Sequence, residues 1–384
     1  YLLFTIFKDY LLSEGVDEDH IISIELDRLE NKKYRDGYVI LEKIRSQLID
    51  SKDYYIFLDE VQLLDQFEDV LNSLLHIKNV DVYVTGSNSK FLSKDIITEF
   101  RGRGDEVHVY PVSFREYMTV FNGDKYEGWS SYVRFGGLPL TVTMNSDEQR
   151  VEYLTRLFEG TYIKDIIERN HIEKKQELND LINVLASGIG SLTNPSKIVA
   201  TFNSVIQSDI SLNTVRSYIE YLEDAFIISE ANRYDVKGRK YIGTPLKYYF
   251  EDVGLRNARL GFRQVEETHL MENIIYNELR VRGFSVDVGV VMKRNRTEAG
   301  VQEKKQLEID FIANQGSRRY YIQSAFSIPD EEKREQEKAS LINVGDSFKK
   351  IIIVKDVVKP WHDDDGILTI SLYDFLLDEK SLEL

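Results

Sequence analysis

The sequence feature that most constrains the fold is a short apolar run that ends in two adjacent acids. Residues 55–58 read Tyr-Ile-Phe-Leu, and Asp59 and Glu60 follow at once. A strand buried on both faces of a parallel sheet has an apolar run of this kind. In such sheets, ligands bind at the carboxyl ends of the strands. The run therefore predicts a parallel sheet covered by helices, with the two acids facing a binding site.

Helical and strand patterns alternate through the first 112 residues, which is typical of an α/β fold. The sequence predicts helices at 2–12, 39–49 and 67–77, and strands at 21–26, 54–58, 80–85 and 106–112. We assign residues 1–112 to an α/β core built on a parallel sheet.

Three further segments follow this core. Residues 113–185 are helical with a break at 135–139, which indicates a smaller, lid-like helical subdomain. Residues 186–260 read as helix, turn, helix and β-hairpin, the order of a winged helix. Residues 261–384 form a separate α/β unit, with a solvated, mobile loop predicted at 293–306 and an acidic turn at 362–366. The sequence thus predicts a multidomain α/β protein.

Composition excludes several classes of protein. The 384 residues exceed the size of a single core, and no window approaches 18 uninterrupted apolar residues, so a membrane protein is not expected. Cysteine is absent and none of the six histidines has metal-ligand spacing, which argues against structural zinc. The net charge of −16 repels nucleic acid at long range, so a DNA contact would need a local basic patch. We expect a cytoplasmic protein.

The two acids have a chemistry that suits phosphate transfer. Asp59 can hold Mg²⁺, directly or through water, and Glu60 can polarise a water that attacks a γ-phosphate. The next strand ends at Thr85, and Ser87 and Asn88 follow shortly after it, so their hydroxyl and amide groups would lie beside the acids. The alternative is that Asp59 and Glu60 form only a solvated acidic turn.

An arginine follows these strands in the sequence. Arg103 lies just before the strand predicted at 106–112, where it could stabilise transition-state charge within the chain or across a subunit interface. The alternative is an ordinary surface arginine.

Several of these motifs together resemble a prokaryotic AAA+ ATPase family, in which the ATPase core is fused to a C-terminal domain of unknown function. The resemblance implies a P-loop-type core in which Asp59 and Glu60 are the Walker B acids, Ser87 and Asn88 sit at the sensor position, and Arg103 is the family's arginine. It also implies ATP and Mg²⁺ as cofactors. The motifs lie at residues 57–62, 85–89, 102–103, 110–117 and 134–139.

The sequence departs from that family at its front. The Gly-rich Walker A loop, ending in Gly-Lys-Ser or Gly-Lys-Thr, would immediately precede the helix predicted from Leu2, and the first strand of the core would precede the loop. No Gly-x-x-x-x-Gly-Lys-Ser/Thr occurs in these 384 residues. Either the sequence begins after that loop or the loop has been lost. The polypeptide as written is expected to bind nucleotide poorly.

The middle of the chain has the pattern of a DNA-binding element. Residues 210–222 predict a capped helix that resembles a winged-helix recognition helix, and residues 233–241 predict a basic wing. The alternative is a winged helix that serves only as a lid or binds another protein. The candidate DNA contacts are Asn213, Thr214, Arg216, Arg233, Lys237, Arg239 and Lys240.

The order of elements after residue 261 resembles the PD-(D/E)xK fold of restriction endonucleases. Asp310 matches the metal-binding Asp of that fold, with Glu308 beside it and Glu272 on the first helix. Gln323 and Ala325 stand where the resemblance requires Glu and Lys, so one metal ligand is neutral and the amine is missing. We expect a degenerate nuclease site that does not cleave nucleic acid.

Two hypotheses follow from the sequence. The intact protein is an ATPase that hydrolyses ATP with Mg²⁺, using Asp59 and Glu60, and couples hydrolysis to domain movement. Alternatively, the ATPase fold is a non-enzymatic scaffold, and the winged helix and nuclease-like domain bind a protein partner or DNA. The sequence leaves the oligomeric state and the pathway open.

Overall fold

The structure, a computed structural model, describes residues 1–86, 104–296 and 302–384, and of 294–296 and 302–304 it describes the backbone alone. The chain divides into two compact units. The first contains Tyr1–His108 with Asp224–Phe226, and the second contains Val109–Glu223 with Ile227–Leu384. No helix of the described residues is long and apolar enough to cross a bilayer.

The first unit contains a three-stranded parallel sheet, as the sequence predicts. The strand that ends in the acids lies at the centre, which explains its unbroken apolar character, since both of its faces and both of its edges are covered. The strands are β1 (Ile21–Glu25), β2 (Tyr54–Asp59) and β3 (Val80–Val84), and the helices are α1 (Lys8–Ser13), α2 (Gly37–Gln47) and α3 (Phe67–Leu75).

Apolar stripes on the helices cover this sheet. Ile40 and Ile44 of α2 and Leu74 of α3 are fully buried in the same core as Ile56 and Leu58 of β2. Helix α2 begins where it does because Asp36 accepts hydrogen bonds from the two backbone amides that open the helix, at 2.9 and 3.0 Å.

The prediction of a strand at 106–112 is wrong. Residues 104–113 have no regular secondary structure. The alternating apolar residues that predicted it do not mark a buried face, because Val107 is 84% exposed and Val109 is 66% exposed. No strand of the described residues pairs with this segment.

The second unit begins with helices, as the sequence predicts for 113–185. Two of them open with reciprocal capping boxes, Ser113 with Glu116 and Asp124 with Glu127, which satisfy backbone amides that a helix start leaves free. The helices up to residue 224 are α4 (Phe114–Val120), α5 (Lys125–Phe135), α6 (Pro139–Thr143), α7 (Asp147–Leu157), α8 (Lys164–Arg169), α9 (Lys175–Ser187), α10 (Pro195–Thr201) and α11 (Leu212–Asp224).

An eight-stranded mixed sheet forms the rest of the second unit, in the order β10-β11-β9-β8-β7-β6-β4-β5. The strands are β4 (Ile228–Asp235), β5 (Lys240–Phe250), β6 (Ser285–Arg296), β7 (Gln302–Gln315), β8 (Arg318–Ala325), β9 (Lys349–Val354), β10 (Trp361–His362) and β11 (Leu368–Ser371). The helices are α12 (Val253–Arg259), α13 (Glu267–Val281), α14 (Glu331–Ile342) and α15 (Leu372–Leu377).

The hairpin β4–β5, which the sequence predicts as a wing, belongs to this same sheet. Strand β4 pairs in parallel with β6, with Arg233 opposite Val288. The sheet therefore contains strands from both sides of the domain boundary predicted between residues 260 and 261. That boundary remains a prediction from the sequence.

Two turn and loop predictions in this unit have different outcomes. The loop predicted at 293–306 is wrong for the described residues, because β6 and β7 continue to pair as far as Arg296 and Gln302. The polar composition misled the prediction, because backbone pairing between strands does not require apolar side chains. The acidic turn at 362–366 is confirmed, and Lys338 bonds Asp363 at 3.0 Å and Asp365 at 2.6 Å.

Helix α12 is almost entirely buried, and its polar groups bond other segments. Asp252 caps it by accepting from the Leu255 amide at 3.0 Å, and its other oxygen accepts from the Gly137 amide at 2.7 Å. Asn257 donates to the last carbonyls of α5, both at 2.9 Å. Arg256, only 1% exposed, donates to the Ala186 carbonyl of α9 at 2.8 Å. These bonds join α12 to α5 and α9.

Burial governs the ionisation of the cap. The carboxyl of Asp252 is 3% exposed, and its burial raises its pKa to about 6, although the backbone amides that it accepts from act in the opposite direction. The glycine pair after α5 makes room for this carboxyl, since a Cβ at Gly136 would overlap it and a Cβ at Gly137 would overlap the Val112 carbonyl.

Gly137→Ala is expected to lower the free energy of unfolding of the second unit by at least about 2 kcal/mol, because the added methyl must displace backbone. The matched control is Gly160→Ala, where a Cβ meets nothing within 4 Å and stability is expected to stay the same or rise slightly. Urea unfolding followed by tryptophan fluorescence measures both, since Trp129 and Trp361 lie in this unit. Equal effects of the two substitutions would contradict the close approach at Gly137.

Asp252→Asn tests the buried carboxyl. Between the ordinary value of 3.8 and the raised pKa of about 6, the folded chain binds a proton that the unfolded chain has lost. The wild-type free energy of unfolding should therefore fall with rising pH across this window, by up to about 3 kcal/mol relative to the variant, which cannot titrate here. Unfolding in urea at several values between about pH 4 and pH 7 measures the difference. A difference that does not depend on pH would contradict the assignment.

Candidate functional site

The register of the first sheet brings the acidic strand ends together. Glu25 at the end of β1 lies opposite Asp59 at the end of β2, and Leu58 lies opposite Val84 of β3. Because the three strands are parallel, their carboxyl ends form one edge of the sheet, where ligands bind in folds of this kind.

Thr85 ties the two predicted acids to the neighbouring strand. Its hydroxyl donates to a carboxylate oxygen of Asp59 and accepts from the Glu60 amide at 3.2 Å. Its carbonyl accepts from the Val61 amide at 3.0 Å, and its amide donates to the Leu58 carbonyl at 2.9 Å. The structure thus places Asp59, Glu60 and Thr85 together, and one hydroxyl group of Thr85 bonds the Asp59 carboxylate and the Glu60 backbone.

Glu60 has an unusual backbone conformation. Its φ of 52° and ψ of 50° are left-handed, a region that glycine adopts easily and glutamate rarely does. The sheet ends here, and the left-handed residue turns the chain into the helical turn at Val61–Leu63. The Gln62 side-chain amide donates to the Glu60 carboxylate. Residues held in such conformations cluster at functional sites, because the surrounding structure must hold the strain in place.

Three carboxylates at this edge have the arrangement of a metal site. One oxygen each from Glu25, Asp27 and Asp59 lies within 4.8 Å of the others. Carboxylate oxygens are the ligands that Mg²⁺ prefers, so these residues fit the ion that the predicted chemistry requires. Arg28 pairs with Glu25 at 2.9 Å, but the arginine is 54% exposed, and exposed pairs of this kind contribute little energy.

Sequence reasoning identified Asp59 of this group and missed Glu25 and Asp27. A signal was present, since Glu25 is the last residue but one of the first predicted strand and Asp27 follows that strand directly, and neighbouring parallel strands end at the same edge. Three other predicted site residues, Ser87, Asn88 and Arg103, lie outside the residues that the structure describes.

The candidate DNA contacts have mixed placements. On α11, Asn213 and Arg216 are exposed and Thr214 is partly exposed. On the β4–β5 hairpin, Arg233 is only 5% exposed and its guanidinium lies 3.5 Å from the Pro245 carbonyl, so it does not face solvent as a contact would. The remaining three residues at the hairpin turn are exposed, namely Lys237, Arg239 and Lys240.

The acids of the predicted degenerate nuclease site surround a lysine that sequence reasoning missed. Lys247 of β5 bonds Glu272 of α13 at 2.9 Å and Glu308 of β7 at 2.8 Å. Asp310 also interacts with this lysine, and it accepts from the Ser324 amide at 2.8 Å.

Gln323 does not join this cluster. Its side-chain oxygen accepts from Ser340 of α14 at 3.3 Å. The sequence predicted it as a neutral replacement for a metal ligand, but its contact is with a helix that carries none of the clustered acids. The cluster therefore consists of Lys247 and Asp310, which are buried, and Glu272 and Glu308, which are partly exposed.

Charge pairing sets the ionisation of this cluster. Burial acts to lower the pKa of Lys247, but the charges of Glu272, Asp310 and Glu308 outweigh it and raise the pKa above the ordinary value. Burial, then the charge of Glu272, raises the pKa of Asp310 well above its usual range. Tyr249 completes the network by donating to Glu272 at 2.7 Å. A charged lysine therefore compensates the charge of these acids.

Comparisons with known proteins place the chain in a family. It is 31% identical to an uncharacterized protein of Haemophilus influenzae over 377 residues, which are 97% of this chain and 90% of that protein. The chain belongs to the same family. An uncharacterized protein of Methanocaldococcus jannaschii is 27% identical over 359 residues, 88% of this chain and 74% of that protein.

Two family descriptions match successive parts of this family member. Residues 1–118 match "AAA domain", and residues 126–266 match "Domain of unknown function (DUF8612)". The first match confirms the predicted relationship to P-loop ATPases for the part of the chain that carries Asp59, Glu60 and Thr85. The second covers the helices from α5 to α12 and the β4–β5 hairpin.

Solved structures give only loose superpositions. The Aeropyrum pernix Orc1 protein in complex with DNA has a TM-score of 0.26 at 15% identity, over 67% of this chain and 81% of that chain. Protein VC1899 from Vibrio cholerae has a TM-score of 0.22 at 14% identity, over 94% of this chain and 96% of that chain. Neither superposition is close enough to bear on the fold or the function.

Lys247→Met tests whether the lysine neutralises the buried acids. Removing the charge leaves Glu272, Glu308 and Asp310 facing one another, so we expect a loss of about 3–5 kcal/mol in the free energy of unfolding at neutral pH. The loss should shrink at acid pH, because the three carboxyls can then be protonated. Urea unfolding followed by tryptophan fluorescence measures it, with exposed Lys359→Met as the control. A loss that is as large at acid pH would mean that the lysine acts only by filling space.

Proposed function

We propose that this family member is an ATPase in which Asp59 and Glu60 are the metal-holding and water-activating acids. The observation that carries the proposal is the hydroxyl of Thr85, which bonds the Asp59 carboxylate and the Glu60 amide at the ligand-binding edge of a parallel sheet. The match of residues 1–118 to an AAA domain supports it.

Each residue at this edge of the sheet has a proposed role that follows from its position. Asp59 and Glu25, with Asp27 nearby, are the residues that would hold Mg²⁺, which when bound neutralises charge on the phosphates. Glu60 follows Asp59 directly, and its left-handed backbone points the chain away from the sheet at this residue. Its carboxylate would accept a proton from the attacking water. Ser87, Asn88 and Arg103 belong to the same proposal, as sensor residues and as the arginine that stabilises transition-state charge.

Glu60→Gln in the native full-length protein is expected to keep ATP binding and to lower turnover by on the order of 10²–10⁴-fold, because an amide cannot accept the proton. Phosphate release measures turnover, and binding of a fluorescent ATP analogue in Mg²⁺ measures affinity. Glu42→Gln, an exposed acid on α2, is the matched control and should leave both unchanged.

Turnover like that of the wild type in Glu60→Gln would remove this residue from the mechanism. If the wild-type protein itself neither binds nor hydrolyses ATP, the alternative holds, in which the AAA fold is a scaffold and the second unit binds DNA or a protein partner.

A further inference from the structure

The β6–β7 hairpin extends beyond the sheet that it belongs to. Strand β4 pairs with β6 only as far as Val290, and β8 pairs with β7 only from Phe311 to Gln315. Residues 291–296 and 302–307 pair with each other, and no third strand of the described residues pairs with them. These two segments, which we call the ribbon, form a two-stranded arm about 20 Å long.

The ribbon concentrates positive charge on an acidic chain. Residues 292–306 contain five basic residues and two acids, whereas the whole chain has a net charge of −16. The register places Lys293 opposite Lys305 and Arg294 opposite Lys304. Like charges directly opposite each other destabilise a strand pair, by roughly 0.2–1 kcal/mol for each pair. An anionic partner would attract these basic residues and relieve the repulsion between them.

We propose that the ribbon binds the phosphate backbone of double-stranded DNA. The major groove of B-form DNA is wide enough to admit a two-stranded β-ribbon, whereas that of duplex RNA is deep and narrow. Lys293 and Lys305 lie directly opposite each other in the register, so the two strands present a pair of positive charges at the same level of the ribbon. Lysine acts as a point charge, so the binding is independent of sequence and sensitive to salt.

This assignment is independent of the proposed ATPase and differs from the wing predicted at residues 233–241. The wing residues lie at the turn of the β4–β5 hairpin, while the ribbon is the far part of β6–β7. The ribbon also continues directly into the part of β7 that carries Glu308 and Asp310. DNA held by the ribbon would therefore lie on the strand pair that leads to the buried Lys247 cluster.

Fluorescence anisotropy with a labelled DNA duplex of arbitrary sequence tests the ribbon in the intact chain. The double substitution Lys293→Glu with Lys305→Glu should weaken binding at least about tenfold and reduce the slope of log affinity against log salt by about two. Lys78→Glu with Lys197→Glu, two exposed lysines elsewhere, makes the same change in net charge and should have a much smaller effect. Equal losses in both variants, or no binding by the wild type at low salt, would overturn the proposal.

The single substitution Lys305→Glu separates binding from stability. It replaces a repulsive cross-strand pair with an attractive Lys293–Glu pair, so the ribbon should be at least as stable, measured by thermal unfolding, while DNA affinity falls. A fall in affinity that is accompanied by unfolding would not support a direct contact, and unchanged affinity would contradict one. Loss of binding only in Lys237→Glu with Arg239→Glu would move the contact to the wing. Equally tight binding to duplex RNA or to polyglutamate would overturn the assignment to DNA.

Discussion

The second unit depends on the capping of helix α12 by a buried carboxyl. Asp252 accepts from the amide that opens its own helix and from the Gly137 amide of the segment after α5. A buried backbone amide without a partner costs about 1–3 kcal/mol, so each of these bonds avoids a penalty as well as contributing energy. The same helix uses Asn257 and Arg256 to satisfy carbonyls at the ends of α5 and α9. The position of α12 therefore fixes the positions of its neighbours.

Directional bonds of this kind specify an arrangement more narrowly than apolar packing does. Apolar side chains of similar volume can be exchanged in a core at modest cost, whereas a hydrogen bond to a particular carbonyl permits one register. Arg256 shows that such bonds have a cost, because burial lowers its pKa to about 10. Its guanidinium nevertheless donates to a backbone carbonyl.

Helix α12 is the most evident element of the second unit that sequence reasoning overlooked. Its signal was a short helix with arginine, asparagine and an N-terminal aspartate among apolar residues.

The parts of the structure that the sequence predicts are those set by local pattern. The apolar run before Asp59 predicts a central strand, and adjacent strand ends predict that Thr85 meets the acids. Local pattern fails where three separate elements meet. Nothing in the sequence around Lys247 indicates that β5 will carry it to acids on α13 and β7, and nothing around Arg233 distinguishes a buried side chain from an exposed one. The wrong prediction of a strand at 106–112 is the opposite case. Apolar residues alternate there, but no strand of the described residues pairs with the segment.

Two acidic clusters among the described residues differ in how their charge is compensated. In the second unit, the compensating cation is Lys247, whose side chain is 4% exposed and is bonded by two carboxylates. Removing such a buried cation without replacing its charge costs several kcal/mol. In the first unit, Glu25 pairs with Arg28, whose side chain is 54% exposed and can swing into solvent at little cost. The charge of Glu25, Asp27 and Asp59 is therefore less firmly compensated within the protein than the charge around Lys247. The same type of residue thus lies in one cluster that a buried lysine balances and in another that pairs with an exposed arginine.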